Sequence, residues 1–349
     1  MSKINIDQVA RYAFVSRSVV SRVLNNHPHV SDVARERVLN VVKKYNYQRN
    51  SAARSLAAKN TREVGILSTR NPNDVMSNGF STLLYLGVFE ECLAQRYSVR
   101  QMFISTEMKE EFQKFILNEH TLDGVILFAE EVTDLLAGEL LSREIPAVLI
   151  GHAPGFSSIS SVDVDNFAGS YSAVTHLLRL GHRNIGALVG SQLLQESQDR
   201  LAGYRKALED AGVPVNEAYV SIGRYTQKSG HDKMLSRLRR QPEVTAWFCA
   251  SDTMAMGALS ALHKSGQRVP DDVAVVGFDD LSFARYTIPP LTTIRQPIYQ
   301  KGRCAARMLI DRVSGNQSEI EHRNLKPDLV VRESCGHHSG MRQSGFRAP

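Results

Sequence analysis

Residues 9–24 read V-A-R-Y-A-F-V-S-R-S-V-V-S-R-V-L, and this stretch decides how the N-terminal part of the chain folds. Its first half repeats apolar residues at helical spacing. Just before it, Asn5 followed by Gln8 has the pattern of a capping box. The apolar repeat breaks at Phe14, and Ser16 can cap a second helix. We therefore expect two short helices joined by a tight turn.

The second helix separates apolar from polar side chains, and a third helix follows it. The inner face of the second helix is expected to carry Val19, Val20, Val23 and Leu24. Its exposed face carries Arg17, Ser18, Ser21 and Arg22. The third helix is expected to be capped by Ser31, with inward-facing Ala34, Val38, Val41, Val42 and Tyr45. Three short helices in this order predict a helix-turn-helix unit.

Positive charge is concentrated in the same part of the chain. The 349 residues carry a net charge of +6. Residues 1–60 hold eleven Lys and Arg against three Asp and Glu, a net charge of +8, which leaves −2 for the rest of the chain. Such segregation indicates a polyanion-binding head on a nearly neutral body.

The exposed face of the second helix has the chemistry needed to read DNA. Arg17 and Arg22 can donate bidentately to guanine in the major groove, beside Ser18, while Ser16 and Ser21 suit phosphate oxygens. The alternative is an ordinary surface helix with two arginines. The concentration of positive charge favours DNA.

Residues 50–57, N-S-A-A-R-S-L-A, form a short alanine-rich stretch that begins with a capping residue. It is too short to be a stable helix alone, but it can fold when held against DNA. Leu56 would then act as an apolar wedge in the minor groove, with Asn50 and Arg54 as further candidate DNA contacts. The alternative is a plain linker.

From residue 63 the chain alternates short β-branched runs with amphipathic segments. The predicted strands are 64–68, 125–128, 147–150, 185–189, 246–250 and 273–277. The predicted helices are 81–96, 107–120, 166–180, 199–212, 228–240 and 253–266. This alternation predicts parallel α/β sheets, and the length of the segment favours two lobes with a ligand cleft between them.

Several motifs resemble those of the lactose-repressor (LacI/GalR) family of bacterial transcription regulators. They include the 9–25 stretch, N-S-A-A-R-S-L (50–56), H-L-L-R-L-G-H-R-N-I (176–185), R-L-A-G-Y (200–204), S-D-T-M-A-M-G-A (251–258), V-P-D-D-V-A-V-V-G-F-D-D (269–280) and L-T-T-I-R-Q-P (291–297). The resemblance covers about residues 4–335. It implies an α + α/β chain with a helix-turn-helix head, a hinge helix and a two-lobed, periplasmic-binding-protein-like core.

The resemblance also implies domain boundaries. They are a DNA-binding domain at 1–48, a hinge at 49–60, a core at 61–335 and a disordered tail at 336–349. In the core, the N-lobe is expected at about 61–160 and 289–320, and the C-lobe at about 161–288 and 321–335, with crossings near 160, 288 and 320.

Effector-binding residues are likewise implied by matching positions. Arg200 and Asp252 match polar ligand positions, and Phe80 and Tyr225 match stacking positions. His152 lies one residue beyond a position where some relatives carry Asp and this chain has Gly. Asp279 can face the cleft or fix the turn after its strand. Asp165 and Asn166 can face the cleft or cap the next helix.

This chain departs from the family pattern at three positions. Phe14 replaces Gly in the turn, where a left-handed backbone is easiest for Gly. Arg49 replaces Pro before the hinge, and Ser251 replaces Asn beside Asp252. The loop 71–79 is longer and more polar than usual, which predicts an unusual effector.

Other functional classes lack support in the sequence. No catalytic Ser elbow, H-E-x-x-H, P-loop or C-x-x-C motif occurs, so we expect no enzyme, metal site or cofactor. No apolar run is long enough to span a membrane, and the N-terminus lacks a signal-peptide core. Together with four scattered cysteines, these features predict a cytoplasmic protein.

The sequence therefore predicts a homodimeric, effector-responsive regulator of transcription. Two heads would bind a pseudo-palindromic operator in double-stranded DNA, most simply to repress carbohydrate-utilisation genes in response to a sugar or sugar derivative. A regulator that responds to a nucleoside or phosphosugar, or that represses constitutively, is the alternative. The dimer interface is expected on the helices at 81–96 and 253–266.

Overall fold

The computed structural model describes residues 4–24, 27–47, 61–68, 72–76, 79–104, 122–128, 133–152, 155 and 157–336. The chain divides into two compact units, Met1–Thr61 and Arg62–Pro349. The predicted hinge, with Asn50, Arg54 and Leu56, lies outside the described residues, as does the tail beyond residue 336.

The N-terminal unit, called the head, contains the three expected helices. They are α1 (Ile6–Ala13), α2 (Arg17–Leu24) and α3 (Asp32–Lys44). The capping box forms, because Gln8 N donates to Asn5 Oδ1 and Asn5 N donates to Gln8 Oε1, both at 2.9 Å. Phe14 ends α1 in the left-handed region, with φ 54°.

Valine and alanine side chains fill the centre of the head. The buried residues are Val9, Ala10, Ala13, Val20, Val23, Val38 and Val41. Tyr45 was expected to point inward but is exposed, and its ring stacks on Tyr12 at 5.1 Å between centroids. The reason is that α3 ends at Lys44, so Tyr45 no longer follows the helical stripe.

The second unit, called the body, is an α/β structure. Its strands are β1 (Glu63–Ser68), β2 (Ser98–Phe103), β3 (Gly124–Phe128), β4 (Ala147–Ile150), β5 (Ser160–Val164), β6 (Ile185–Val189), β7 (Val220–Ile222), β8 (Ala246–Cys249), β9 (Ala274–Asp279), β10 (Thr292–Arg295), β11 (His322–Leu325) and β12 (Asp328–Val330). Its helices are α4 (Pro72–Met76), α5 (Gly79–Ala94), α6 (Thr133–Ser142), α7 (Asn166–Arg179), α8 (Gln195–Asp210), α9 (Gln227–Arg240), α10 (Asp252–Lys264) and α11 (Ile298–Val313).

The strands form two sheets, each of which defines a lobe. The first sheet has the order β11-β5-β4-β3-β1-β2 among the described residues, and all its pairs are parallel. The second has the order β12-β10-β9-β8-β6-β7, with only β12 antiparallel to its neighbour. Buried side chains cover both faces of each sheet, as parallel strands require.

The lobe boundaries differ from those expected. The chain passes between sheets after β5, between β10 and α11, and between β11 and β12. The crossings therefore lie near residues 165, 296 and 326 instead of 160, 288 and 320. Residues 292–295 belong to the second lobe because β10 pairs with β9, and 322–325 belong to the first because β11 pairs with β5.

Several elements were not expected from the sequence. They are α4, α6, α11 and the strands β2, β5, β7, β10, β11 and β12. Helix α4 occupies part of the predicted loop at 71–79, and the helix predicted at 107–120 lies outside the described residues. The unexpected strands other than β2 and β5 run for only three or four residues, which is too short for an alternating pattern to stand out.

Close packing fixes α11 against α5 in the first lobe. A Cβ atom at Gly302 would collide with the backbone of Leu84, and one at Gly87 would collide with the backbone of Tyr299. The two helices can approach this closely only because both positions are glycine. This contact sets where the side chains of α11 enter the lobe.

Candidate functional site

In the head, the predicted DNA-reading face is exposed. Arg17, Ser18 and Arg22 on α2 face solvent, as does Ser16 just before it, while Ser21 is half-buried. The Ser16 and Ser18 hydroxyls are 2.8 Å apart. Arg17 Nη1 lies 3.8 Å from Asp7 Oδ1, a loose and exposed contact that leaves the guanidinium available.

In the body, four of the six predicted effector residues line one cavity between the lobes. They are Phe80 at the start of α5, Arg200 on α8, Tyr225 before α9 and Asp279 at the end of β9. Glu196, Ser251 and Thr253 complete the lining. The cavity measures about 50 Å³. Since ligand sites usually measure about 300–1,000 Å³, a sugar could enter only if the lobes moved apart.

Arg200 is buried and held on several sides. Its Nε donates to Asn166 Oδ1 at 2.9 Å, and its Nη1 donates to the Ala250 carbonyl at 2.5 Å. The guanidinium carbon lies 3.9 Å from the centroid of the Phe278 ring and 5.6 Å from that of Tyr225. A planar cation fixed in this way presents its remaining N–H donors in a defined direction.

Asp279 lies opposite Arg200, with its Oδ1 3.9 Å from Arg200 Nη1. The same oxygen accepts from Gln296 Nε2 at 2.5 Å. Burial raises the pKa of Asp279 to about 6, although Arg200 and Gln296 act in the opposite direction. Its backbone is strained, with φ 126° in a non-glycine residue, and such strain concentrates at functional sites. Asp279 therefore both faces the cavity and ends its strand.

Asp252 does not line the cavity. It is fully buried, its Oδ2 accepts from Leu281 N at 2.8 Å, and its Oδ1 accepts from the Thr293 hydroxyl at 2.5 Å. Burial, followed by the neighbouring Asp279 charge, raises the pKa of Asp252 well above its usual range. These bonds lie within the second lobe, so the geometry favours a structural role over direct contact with ligand.

His152 is exposed just after β4 and is not among the residues that line the cavity. Its charge reaches Asp199 on α8, across the cleft. Burial raises the pKa of Asp199, while Gln195 and, more weakly, His152 oppose that shift. The role of His152 as an effector residue stays a prediction, because it does not line the cavity.

The side chains of Asp165 and Asn166 have different hydrogen-bond partners. Asp165 caps α7, since its Oδ1 accepts from Ala168 N at 2.8 Å. Asn166 instead turns inward, where its Oδ1 holds Arg200 and its Nδ2 donates to Asp163 Oδ2 at 3.2 Å. Asp165 is therefore a cap, whereas Asn166 contacts the cavity residue Arg200 without lining the cavity itself.

Sequence reasoning missed Glu196, which lines the cavity, and three charged groups close to it, Asp199, Asp163 and Lys301. Asp163 and Lys301 form a buried ion pair at 2.6 Å between β5 and α11. The available signal was polarity at positions that are otherwise apolar, V-D-V in the strand and K-G in the helix.

An exposed basic recognition helix and a polar cleft between two α/β lobes are the parts of a DNA-binding regulator with a ligand sensor. Residues 5–50 match the lacI family of bacterial regulatory proteins, and residues 174–335 match a periplasmic binding protein-like domain.

Relatives match over nearly the whole chain. The HTH-type transcriptional regulator CelR of Thermobifida fusca is 37% identical over 335 residues, 94% of this chain and 97% of CelR. The HTH-type transcriptional repressor PurR of Vibrio campbellii (strain ATCC BAA-1116) is 33% identical over 338 residues, 94% of this chain and 98% of PurR. This chain therefore belongs to the LacI family and is a transcriptional regulator.

Solved structures give the same architecture. A CelR–cellobiose complex superposes with a TM-score of 0.75 at 35% identity, covering 95% of this chain and 100% of that one. A lac repressor dimer bound to operator and the anti-inducer ONPF superposes with a TM-score of 0.84 at 27% identity, covering 96% of this chain and 99% of that one. Among the described residues, no helix is long and apolar enough to cross a membrane, and no cluster of His, Cys, Asp and Glu could hold a metal ion.

Proposed function

We propose that this chain represses carbohydrate-utilisation genes as a cytoplasmic homodimer and responds to a neutral sugar. The observation that supports a sugar as the effector is the composition of the cavity. The cavity combines two aromatic rings, a fixed guanidinium and two carboxylates within one small space. An aromatic face stacks on a sugar ring, while Arg and Asp pair with neighbouring hydroxyls. We assign it no catalytic activity, because its relatives are regulators.

The charge of the cavity favours a neutral sugar over a phosphosugar. Glu196 and Asp279 contribute two carboxylates to the lining, against the single guanidinium of Arg200. Behind it, the positive charge of Lys301 is already paired with Asp163. A phosphate group would therefore enter a site with an excess of acids. The relative CelR was solved with cellobiose, which is also uncharged.

The dimer is proposed to form through exposed apolar side chains on both lobes. Leu86, Phe89 and Leu93 are exposed along α5, in the range expected from the sequence. In the second lobe the expected helix at 253–266 presents no exposed large apolar residue, because α9 covers it. Tyr286 and Ile288, 77% and 95% exposed, offer a better surface.

Calorimetry of the full-length protein tests the effector. Cellobiose, glucose and ribose are titrated against glucose 6-phosphate and adenosine. Binding of a neutral sugar together with loss of operator binding supports the proposal, whereas binding of the phosphosugar or the nucleoside alone contradicts it. A protein that binds operator and none of these compounds is the constitutive repressor that the sequence left open.

A further inference from the structure

The ammonium of Lys301 is buried near the effector cavity, beside Phe80. Lys301 is buried on α11, in the first lobe, and its Nζ donates to Asp163 Oδ1 at 2.6 Å. A buried lysine is costly unless it is paired, so the position carries a specific requirement. The pair joins the last strand before the first crossing to the helix after the second crossing.

From Asp163 a chain of hydrogen bonds leads to Arg200. The other carboxylate oxygen of Asp163 accepts from Asn166 Nδ2 at 3.2 Å. Asn166 is the first residue of α7, on the far side of the crossing, and its Oδ1 accepts from Arg200 Nε at 2.9 Å. The amide of Asn166 thus has its donor end fixed in the first lobe and its acceptor end on the cavity cation in the second.

Lys301 also reaches two other cavity residues. Its Nζ lies 6.0 Å from the centroid of the Phe80 ring, within range of a cation–π attraction. Its charge also acts on Asp279, in the opposite lobe. One first-lobe cation therefore influences the aromatic, the guanidinium and the carboxylate of the cavity.

We propose that Lys301 is a positioning residue for the effector site, which orients Arg200 through Asp163 and Asn166. The Asp163 carboxylate, at 3.2 Å, and the Val164 carbonyl, at 3.1 Å, together fix which way the Asn166 amide points, because only its Nδ2 can donate to these oxygens. With the amide turned over, an N–H group would face Arg200 Nε, and both are donors. Lys301 thereby keeps the Arg200 plane in one orientation before any ligand arrives, which lowers the cost of binding. The inference rests on the proposed function only for the contact between Arg200 and effector.

Solvent exchange of the Arg200 Nε proton tests the inference without any ligand. The full chain is labelled with ¹⁵N-arginine, and the resonance is assigned by its loss in Arg200→Lys. Exchange should be slow in the wild type and about tenfold faster or more in Lys301→Met, but within about twofold of wild type in Lys301→Arg. Arg303→Gln is the control on the same helix, because Glu91 keeps its second partner, Arg307. It should leave Arg200 exchange unchanged.

A second variant distinguishes loss of the ion pair from unfolding of the protein. Lys301→Met leaves Asp163 buried without a cation, whereas Asp163→Asn combined with Lys301→Met leaves no unpaired charge there. If the Arg200 Nε proton of the folded double variant exchanges at the wild-type rate, the inference is overturned. Exchange that is faster in the double variant and restored in Lys301→Arg supports it.

Titration with cellobiose is run on the same proteins. If the wild type binds cellobiose, Lys301→Met should weaken binding by about tenfold and Lys301→Arg by less than about threefold. Failure of the wild type to bind cellobiose, glucose and ribose counts against the proposed effector, and the exchange result then still decides the role of Lys301.

Discussion

Arg200 rests on Phe278, with its guanidinium carbon 3.9 Å from the ring centroid. The ring covers one face of the cation, and Asn166 and Ala250 occupy two of its donors. The remaining donors are directed toward the cavity and Asp279. We expect Arg200→Lys to weaken sugar binding by about tenfold or more, because lysine retains the charge without the planar donors.

Calorimetry measures the affinity of this variant, and a thermal melt shows whether it is folded. Operator binding in the absence of sugar should stay within about threefold of wild type, since the predicted DNA-reading face lies on α2 in the head. Unchanged sugar affinity in a folded Arg200→Lys protein would rule out direct contact.

Asp279 should give the stability of the body a recognisable pH dependence. Its folded-state pKa, about 6, lies above the ordinary value of 3.8, so the folded protein binds this proton more tightly than the unfolded chain. Ionisation of Asp279 therefore weakens the fold as the pH rises from about 4 to 6. Asp279→Asn cannot ionise, and its melting temperature relative to wild type should rise across that window and then level off.

Asp280→Asn is the matched control, because ionisation of Asp280 should change the stability of the fold in the opposite direction. Although burial raises the pKa of Asp280, hydrogen bonds from Arg332 and Arg295 lower it overall. Asp280 thus stabilises the fold above the ordinary carboxyl pKa, and that stability is lost as the pH falls. The melting temperature of Asp280→Asn should lie below that of the wild type at neutral pH, and this difference should shrink toward acid pH. Parallel curves for both variants would contradict the assignment of Asp279.

Phe14 should destabilise the head. It has a left-handed backbone, which costs a non-glycine residue about 1–2 kcal/mol, and its ring is 86% exposed, so little burial compensates. Phe14→Gly should stabilise the head by about 1 kcal/mol, seen as roughly fivefold slower amide exchange at Val20 and Val38. Phe14→Ala keeps the strain and should show no such gain. Equal protection in both variants would mean that the ring, rather than the backbone, sets stability.

The exposed arginines of α2 should read bases. Arg17→Ala or Arg22→Ala should cost about 1–3 kcal/mol of operator affinity and relax preference at one base position in each half-site. Arg37, exposed on α3, is the control, and its alanine variant should affect operator and random DNA equally. Equal losses on both DNAs for Arg17 and Arg22 would show that they contact only phosphate.

The 286–288 segment should hold the dimer together. Ile288→Asp places a charge on a 95% exposed apolar side chain, and light scattering at micromolar concentration should shift from two chains to one. Leu193, 73% exposed elsewhere in the second lobe, provides a control whose aspartate variant should remain dimeric. If Ile288→Asp remains a dimer, the interface lies elsewhere.

The sequence was most informative where apolar periodicity is strong. The strands at 147–150 and 185–189 and the helix at 166–179 were predicted within a residue, because buried parallel strands and amphipathic helices carry clear patterns. Strands such as β11, H-R-N-L, are polar and sit at a sheet edge, where no pattern is required. Their absence from the prediction displaced the lobe crossings.

The cleft was predictable only in part, for a different reason. Phe80, Arg200 and Tyr225 follow from matching positions, whereas the sequence left Asp279 between two roles. Lys301 finds its partner Asp163 138 positions away. No local pattern specifies such a pair. Asp252 matches a motif, and its role as an effector residue stays a prediction. A motif places a residue at a strand end without showing which groups it meets, here the Leu281 amide and the Thr293 hydroxyl.

The third passage of the chain between the lobes, between β11 and β12, has a consequence for biosynthesis. Strand β11 closes one edge of the first sheet, β12 closes one edge of the second, and both come from residues 322–330. Neither lobe can complete its sheet until that segment has been synthesised. A chain cut short near residue 320 would expose the unpaired edges of β5 and β10 together, and such edges recruit other chains. Late nonsense mutations should therefore yield aggregates and not a repressor that has lost only its sensor.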